Sequence, residues 1–172
     1  MKKFLVAFAV IVGLSLGHVC TGGDCSGHAY AQGVELETGG GIAAVVDDDL
    51  NLSVNGEKLF VSSIRYGDAN SIGLRVAATN NTTPLFDITA NVRHTFRPVI
   101  SVLPYAELGA GVQNSGFTQA GLKRVASGTV GVRSWYKGLG VYAESRLNTV
   151  YENGWSDRVN VLQFTAGVSL SR

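Results

Sequence analysis

Cysteine is nearly missing from the chain. Only Cys20 and Cys25 occur among 172 residues, and both precede residue 32. Whatever follows that point folds without a disulfide and without thiol chemistry. Charge is also sparse: Asp, Glu, Lys and Arg make up 16% of the chain and the formal net charge is +1. That excludes a disordered polyelectrolyte and a protein that holds nucleic acid by a concentrated basic face. After Ala31 no apolar run approaches the ~18 residues that mark a membrane-spanning helix, and no stretch keeps a helical period. Histidine is reduced to His94 beyond the first 31 residues, so no zinc ligand set can be assembled from histidine and cysteine. Neither composition nor spacing asks for a cofactor.

The N-terminus carries the one continuous apolar segment. Lys2 and Lys3 precede Phe4 to Leu16, a run broken only by Gly13 and Ser15. A basic start, a short apolar segment and the small-x-small site Ala29-Tyr30-Ala31 predict a cleavable export signal over residues 1–31. Cys20 follows His18-Val19 rather than small residues, which argues against a lipid-anchored cysteine. The exported domain is then 32–172, with 12 basic and 12 acidic residues.

That domain alternates. Leu162, Phe164, Ala166, Val168 and Leu170 share one face of a strand, with Gln163, Thr165, Gly167, Ser169 and Ser171 on the other. Leu139, Val141, Ala143 and Leu147 oppose Tyr142, Glu144, Arg146 and Asn148 in the same manner. Six further strands are predicted near 123–136, 100–113, 85–97, 71–80, 57–67 and 33–46. Short connections at 67–71, 97–99 and 137–138 alternate with longer ones at 47–56, 113–122 and 152–158, with 80–84 intermediate. Short turns at one end and longer loops at the other predict an all-β fold, an eight-stranded antiparallel up-and-down transmembrane β-barrel. Tyr66, Phe96 and Tyr136 fall on the apolar face beside the short turns. Phe60, Phe86 and Tyr151 fall on it at the loop ends, as two aromatic girdles of a membrane band would.

The opposite parity collects the charges. Glu35, Glu37, Asp87, Glu107 and Glu144 meet Arg65, Arg75, Arg93, Arg133 and Arg146, five acids to five bases. An eight-stranded interior is just wide enough to be filled by side chains, so these charges are expected to pair. A soluble barrel would be apolar inside and polar outside. Here the polarity is inverted.

The stretch Leu103-Pro104-Tyr105-Ala106-Glu107-Leu108-Gly109-Ala110-Gly111, with Tyr142-Ala143-Glu144-Ser145-Arg146 and the closing Leu162–Leu170 alternation, resembles the small eight-stranded outer-membrane barrels of Gram-negative bacteria. That group includes the barrel of outer membrane protein A and adhesion/invasion-type barrels. The resemblance implies an outer-membrane location, contact with outer-membrane lipid and lipopolysaccharide, insertion by the barrel-assembly machinery, and adhesion-like behaviour. Pro104, which ordinarily demotes a strand, is kept within one on this resemblance, at a bulge or strand end. The family's closing aromatic is missing: Arg172 stands at the corresponding parity, after Leu170, a departure that bears on assembly.

Catalytic readings find little support. Lipid A deacylases of this shape resemble a His-x-Ser arrangement, whereas His94 is followed by Thr95 and Phe96 and falls on the lipid-facing parity. Inward Asp87, Glu107 and Glu144 share their face with five arginines, so ion pairing is favoured over acid–base work. Asp47-Asp48-Asp49 form an acidic patch at the membrane exit, either solvated or gathering a hard divalent cation. Leu50, Leu52 and Val54 continue the lipid-face parity of Ile42, Ala44 and Val46, and Asn55-Gly56 is a tight-hairpin signal, which predicts a protruding first hairpin able to pair with an extracellular ligand. The reading is a non-enzymatic outer-membrane barrel acting in envelope integrity or surface adhesion through loops at 47–57 and 113–122. A narrow solute channel, and a lipid-modifying enzyme, are the alternatives.

Overall fold

The computed structural model describes residues 33–46, 52–79, 86–98, 102–114, 121–136, 139–151 and 158–171, with the side chains of 52–57 excepted. The predicted signal, Asp47–Leu50 and Arg172 lie outside the described residues. Eight strands follow in order: β1 (Val34–Val46), β2 (Leu52–Gly67), β3 (Asn70–Thr79), β4 (Phe86–Thr95), β5 (Leu103–Asn114), β6 (Leu122–Tyr136), β7 (Leu139–Tyr151) and β8 (Arg158–Ser171). Each pairs antiparallel with the next, and β8 returns to β1, so the sheet closes. Among the described residues no helix is long and apolar enough to cross a membrane. The described residues form a closed eight-stranded antiparallel β-barrel.

Closure decides what each face must be. With no edge left, the two faces see different surroundings. Outward positions are apolar and exposed, among them Leu36, Ile64, Leu74, Val92, Leu108, Val132, Val141, Phe164 and Leu170. Inward positions are polar through the middle and turn end. Toward the loop end they become apolar, where Ala43, Val125, Val150 and Val161 form one cluster and Leu59, Val61 and Ala77 another.

Three expectations need correction. The Asn55-Gly56 pair is not a hairpin turn. It sits inside β2, where Val54, Asn55 and Gly56 oppose the single residue Ala44 between the pairs Ala43↔Glu57 and Val45↔Ser53. The turn chemistry is spent on a bulge, and β2 begins at Leu52. The simple alternation of β1 breaks there too, and Ala44 is buried while Ile42 is exposed. The connection between β4 and β5 is not short: β4 ends at Thr95 and β5 begins at Leu103. Pro98 cannot donate to a ladder, and the Phe96 N–H reaches across to the Pro104 carbonyl at 2.9 Å. Pro104 is the second residue of β5 and pairs opposite Val132. Finally, Phe60 lies well inside the lengthened β2 rather than at its end. It keeps the height of Phe86, because Phe60, Ala78 and Phe86 are consecutive partners across β2, β3 and β4.

Candidate functional site: the barrel interior

Period-2 alternation on seven strands delivers ten charged side chains to one lumen. Glu35, Glu37, Arg65, Arg75, Asp87, Arg93, Glu107, Arg133, Glu144 and Arg146 are all buried, none more than 6% exposed. Such charges are tolerable in a confined space only if opposite charge and hydrogen bonds replace the lost water.

At mid-height four of them close a ring. Arg65 Nε lies 2.9 Å from Glu37 Oε2 and its Nη2 2.6 Å from Glu107 Oε2. Arg93 Nη1 lies 2.5 Å from Glu37 Oε1 and its Nε 3.1 Å from Glu107 Oε2. Ser63 Oγ adds a donor to Glu37 at 2.6 Å. The planar guanidinium fork makes this possible, because each arginine reaches two carboxylates at once. Two of these strands, β1 and β4, are not neighbours in the sheet, so the Arg93–Glu37 contact crosses the lumen.

Two arms leave the ring. Arg93 stacks over Tyr105 at 3.9 Å from the ring centroid, and the Tyr105 hydroxyl donates to Glu144 Oε2 at 2.7 Å. Glu144 also pairs with Arg75 and accepts from Thr165 Oγ1 at 2.8 Å. In the other arm Arg146 Nη1 binds Glu107 Oε1 at 2.9 Å. Its Nη2 reaches Thr89 and Ser127 hydroxyls, each at 2.7 Å, and its Nε donates to Asn148 Oδ1 at 2.9 Å. A separate pair stands nearer the turns, where Arg133 Nη1 approaches Glu35 Oε2 at 2.7 Å and Nη2 donates to Thr95 at 2.9 Å.

Pairing is therefore not one to one. Four acids hold all five arginines, and Asp87 has no arginine partner within ion-pair distance. Its Oδ2 accepts instead from the amides of Asn148 and Gln163, each at 3.3 Å. Asn148 thus links Asp87 to Arg146 through its two amide ends. The reason is position: Asp87 is the acid nearest the loop end of its strand, at the edge of the apolar layer. Parity reveals that it points inward but says nothing of height relative to an arginine two strands away.

Some participants escaped the charge census. Tyr105 shares the inward parity of Glu107, and Thr89, Asn91, Ser127 and Thr129 share that of Arg93 and Arg133. The signal was present, since uncharged polar residues occupy the same alternating positions as the charges. Glycine makes the room. A Cβ on Gly131 would stand 2.5 Å from Tyr105 Cζ and 2.6 Å from its hydroxyl, so only glycine leaves space for the ring. The inward Gly39 is crowded likewise by the Tyr142 hydroxyl at 2.5 Å. Gly131→Val is expected to lower stability by about 1–3 kcal/mol, the ordinary cost of overpacking. Gly128→Val, on the outer face of the same strand, is expected to cost less. Urea unfolding in lipid vesicles reads the difference, and equal costs would mean that Tyr105 is not held against the β6 backbone.

The remaining predicted positions lie on the outer face. Phe60, Tyr66, Phe86 and Tyr136 are exposed there, while Phe96 and Tyr151 are half-buried. His94 is half-buried on the same face. Its Nδ1 is 2.7 Å from Asn70 Oδ1 and its ring meets Phe96 edge-on at 4.8 Å. No nucleophile of the described residues adjoins it in these contacts. Among the described residues no three His, Cys, Asp or Glu gather as a metal site.

An inverted barrel, apolar outside and ion-paired within, belongs to the class of small outer-membrane barrels by fold. Solved structures agree. Neisserial surface protein A superposes with a TM-score of 0.67 at 15% identity, over 82% of this chain and 98% of that one. The N-terminal barrel domain of Pseudomonas aeruginosa OprF gives 0.53 at 16%, over 81% and 98%. Ail, the attachment invasion locus protein of Yersinia pestis, gives 0.50 at 16%, over 81% and 99%. No sequence-family profile and no curated protein matches the chain. The likeness is thus one of fold, carried by pattern rather than by shared residues.

Proposed function

We propose that residues 1–31 direct export and that 32–172 resides in the outer membrane as a non-conducting, non-enzymatic barrel. Its work is envelope integrity or surface adhesion through the loop ends. The observation that carries this reading is the ring of Arg65, Glu37, Arg93 and Glu107, which sets paired charge across the lumen. A solute passing along the axis would have to part guanidinium from carboxylate in a low-dielectric interior, at several kcal/mol per uncompensated ion. The apolar outer face and the aromatic side chains near both rims support a membrane setting, with lipid and lipopolysaccharide as surroundings and the barrel-assembly machinery as the route in. The names of two fold neighbours, a surface protein and an attachment protein, support the adhesive side of the reading. Partners would meet the chain at 47–57 and 113–122, with Asp47, Asp48 and Asp49 as the acidic element of that surface. Of the carboxylates that a lipid-modifying enzyme would use, Glu107 and Glu144 are instead engaged by arginine, tyrosine and threonine donors, and Asp87 Oδ2 accepts from the amides of Asn148 and Gln163.

Two measurements test this. In isolated outer membranes the unheated protein is expected to run as a compact species that slows on boiling, with surface protease cutting only near 47–57 or 113–122. In planar bilayers the purified barrel is expected to give no steady conductance steps. Steady steps that change in Arg133→Ala or Glu107→Ala would overturn the closed-interior reading in favour of a narrow channel.

A further inference from the structure

Among the described side chains the lumen holds one cation beyond the ten charges of its network. Lys123 alternates with the outward Leu122 and Arg124, and shares the inward side of β6 with buried Val125. It is half-buried and makes no ion pair among the described residues.

Register decides what stands beside it. Asp87 pairs opposite Gln113, and Gln113 opposite Lys123, so the three follow one another on a single inward rung of β4, β5 and β6. Each lies one residue inside the loop end of its strand: β4 starts at Phe86, β5 ends at Asn114 and β6 starts at Leu122. Two strand spacings put the Asp87 and Lys123 backbones about 10 Å apart, with Gln113 between them.

The rung is polar and incomplete. Asp87 Oδ2 is held by the amides of Asn148 and Gln163, but Oδ1 accepts no hydrogen bond among the described residues. Gln113 is 1% exposed, and neither its Oε1 nor its Nε2 has a partner there. Ala77, opposite Asp87 on β3, and Val125, beside Lys123, are buried and apolar, so they offer nothing in return. Native proteins satisfy nearly all their buried polar groups, and three open atoms on one rung mark a place that an occupant completes.

Charge says what that occupant is. A lone cation would meet Asp87 but be repelled by Lys123. A lone anion would meet Lys123 but be repelled by Asp87. Only a group with a positive end toward β4 and a negative end toward β6 suits both, and the central amide offers an acceptor for one end and a donor for the other. Burial of Asp87 and Gln113 keeps that group small.

We propose that Asp87, Gln113 and Lys123 form a site for a small zwitterion of the α-amino acid class, at the loop-end mouth of the lumen. The ammonium of the ligand donates to Asp87 Oδ1 and Gln113 Oε1. Its carboxylate accepts from Lys123 Nζ and Gln113 Nε2, and contacts of this charge-assisted kind are the strong ones. Arg93 of the ring lies three inward positions further along β4, so the site is a dead end. The dead end rests on the closed-interior reading, whereas the binding does not.

The test uses the full chain, isotopically labelled and refolded in detergent, with the Gln113 side-chain amide followed by NMR at neutral pH. Glycine, acetate or methylammonium is added. Glycine is expected to shift that amide to saturation, and the two single-charge ions to bind at least tenfold more weakly. Lys123→Gln is expected to weaken glycine binding about tenfold, as the loss of one charge-assisted contact does. Asp87→Asn is expected to do the same. A heat-shift gel checks that each variant folds. Lys123 stands half-buried and unpaired, so its variant carries the test if Asp87→Asn does not fold. No saturable response to glycine overturns the proposal, and so does equal binding of acetate, which would mark a simple anion site. Unchanged glycine affinity in Lys123→Gln also overturns it. A Gln113 amide that moves in Lys123→Gln but ignores glycine in the parent would mean that Lys123 itself completes the rung, with no ligand. Planar-bilayer recordings test closure separately: steady steps with intact glycine binding sink the closed interior and leave the site standing.

Discussion

Glu107→Gln is expected to destabilise the folded barrel by about 3–5 kcal/mol, the usual cost of leaving buried charge without its partner. Glu107 contacts three arginines: Arg65 at 2.6 Å, Arg146 at 2.9 Å and Arg93 at 3.1 Å. The amide keeps the volume and removes the charge, so all three guanidiniums lose compensation together. A comparison isolates the charge from the packing. The pair Arg133–Glu35 stands apart from the ring, and replacing both by glutamine removes the two charges together. That double change is expected to cost under about 1 kcal/mol, because no ion is stranded. Urea titration in phosphocholine vesicles, followed by tryptophan fluorescence and gel mobility, reads both. If Glu107→Gln unfolds within about 1 kcal/mol of the parent, water rather than the ring solvates these arginines, and the closed interior fails.

Ala143→Arg is expected to cost about 2–4 kcal/mol on folding into a bilayer, whereas Leu139→Arg on the same face of β7 should cost about 0–1 kcal/mol. Ala143 is exposed near mid-height, in one rung with Gly40, Ala166 and Val132. Leu139 begins the strand beside the short turn and is 51% exposed. In water both are surface positions and an arginine at either would be nearly neutral. The depth dependence exists only if lipid covers the middle of the face. Folding free energies for the two variants in bilayers and in a short-chain detergent make the measurement. Equal costs at the two depths would contradict the membrane band.

The ion pairs also bear on register. Because side chains alternate with period two, slipping one strand by a single residue would turn its arginine or glutamate into the hydrocarbon and its valine or leucine into the lumen. The ring taxes stability with desolvation but penalises every odd slip on the four strands that carry it. Glu37, Arg65, Arg93 and Glu107 lie on β1, β2, β4 and β5, the side of the barrel where glycine at 39, 41, 73, 109 and 111 leaves the alternation least supported by bulk.

Sequence by itself determined the number of strands, their two faces and the inward set of ten charges, because alternation is a local property and each strand carries its own record of it. It also marked the rims, where Tyr66, Phe86, Tyr136 and Tyr151 stand near strand ends. Local signals misled where two of them competed, as at Asn55-Gly56, whose turn chemistry yielded to pairing on both sides. Only the tertiary structure decided which charge meets which. Arg133 and Glu35 are 98 residues apart in the chain, and Arg75 and Glu144 are 69. Parity assigns a residue to the lumen but not to a height within it. Height depends on strand tilt and on the stagger with which β8 meets β1, and both are set by closing the whole sheet. The amide-held Asp87 and the tyrosine wedged against Gly131 both depend on that stagger, which no single strand contains.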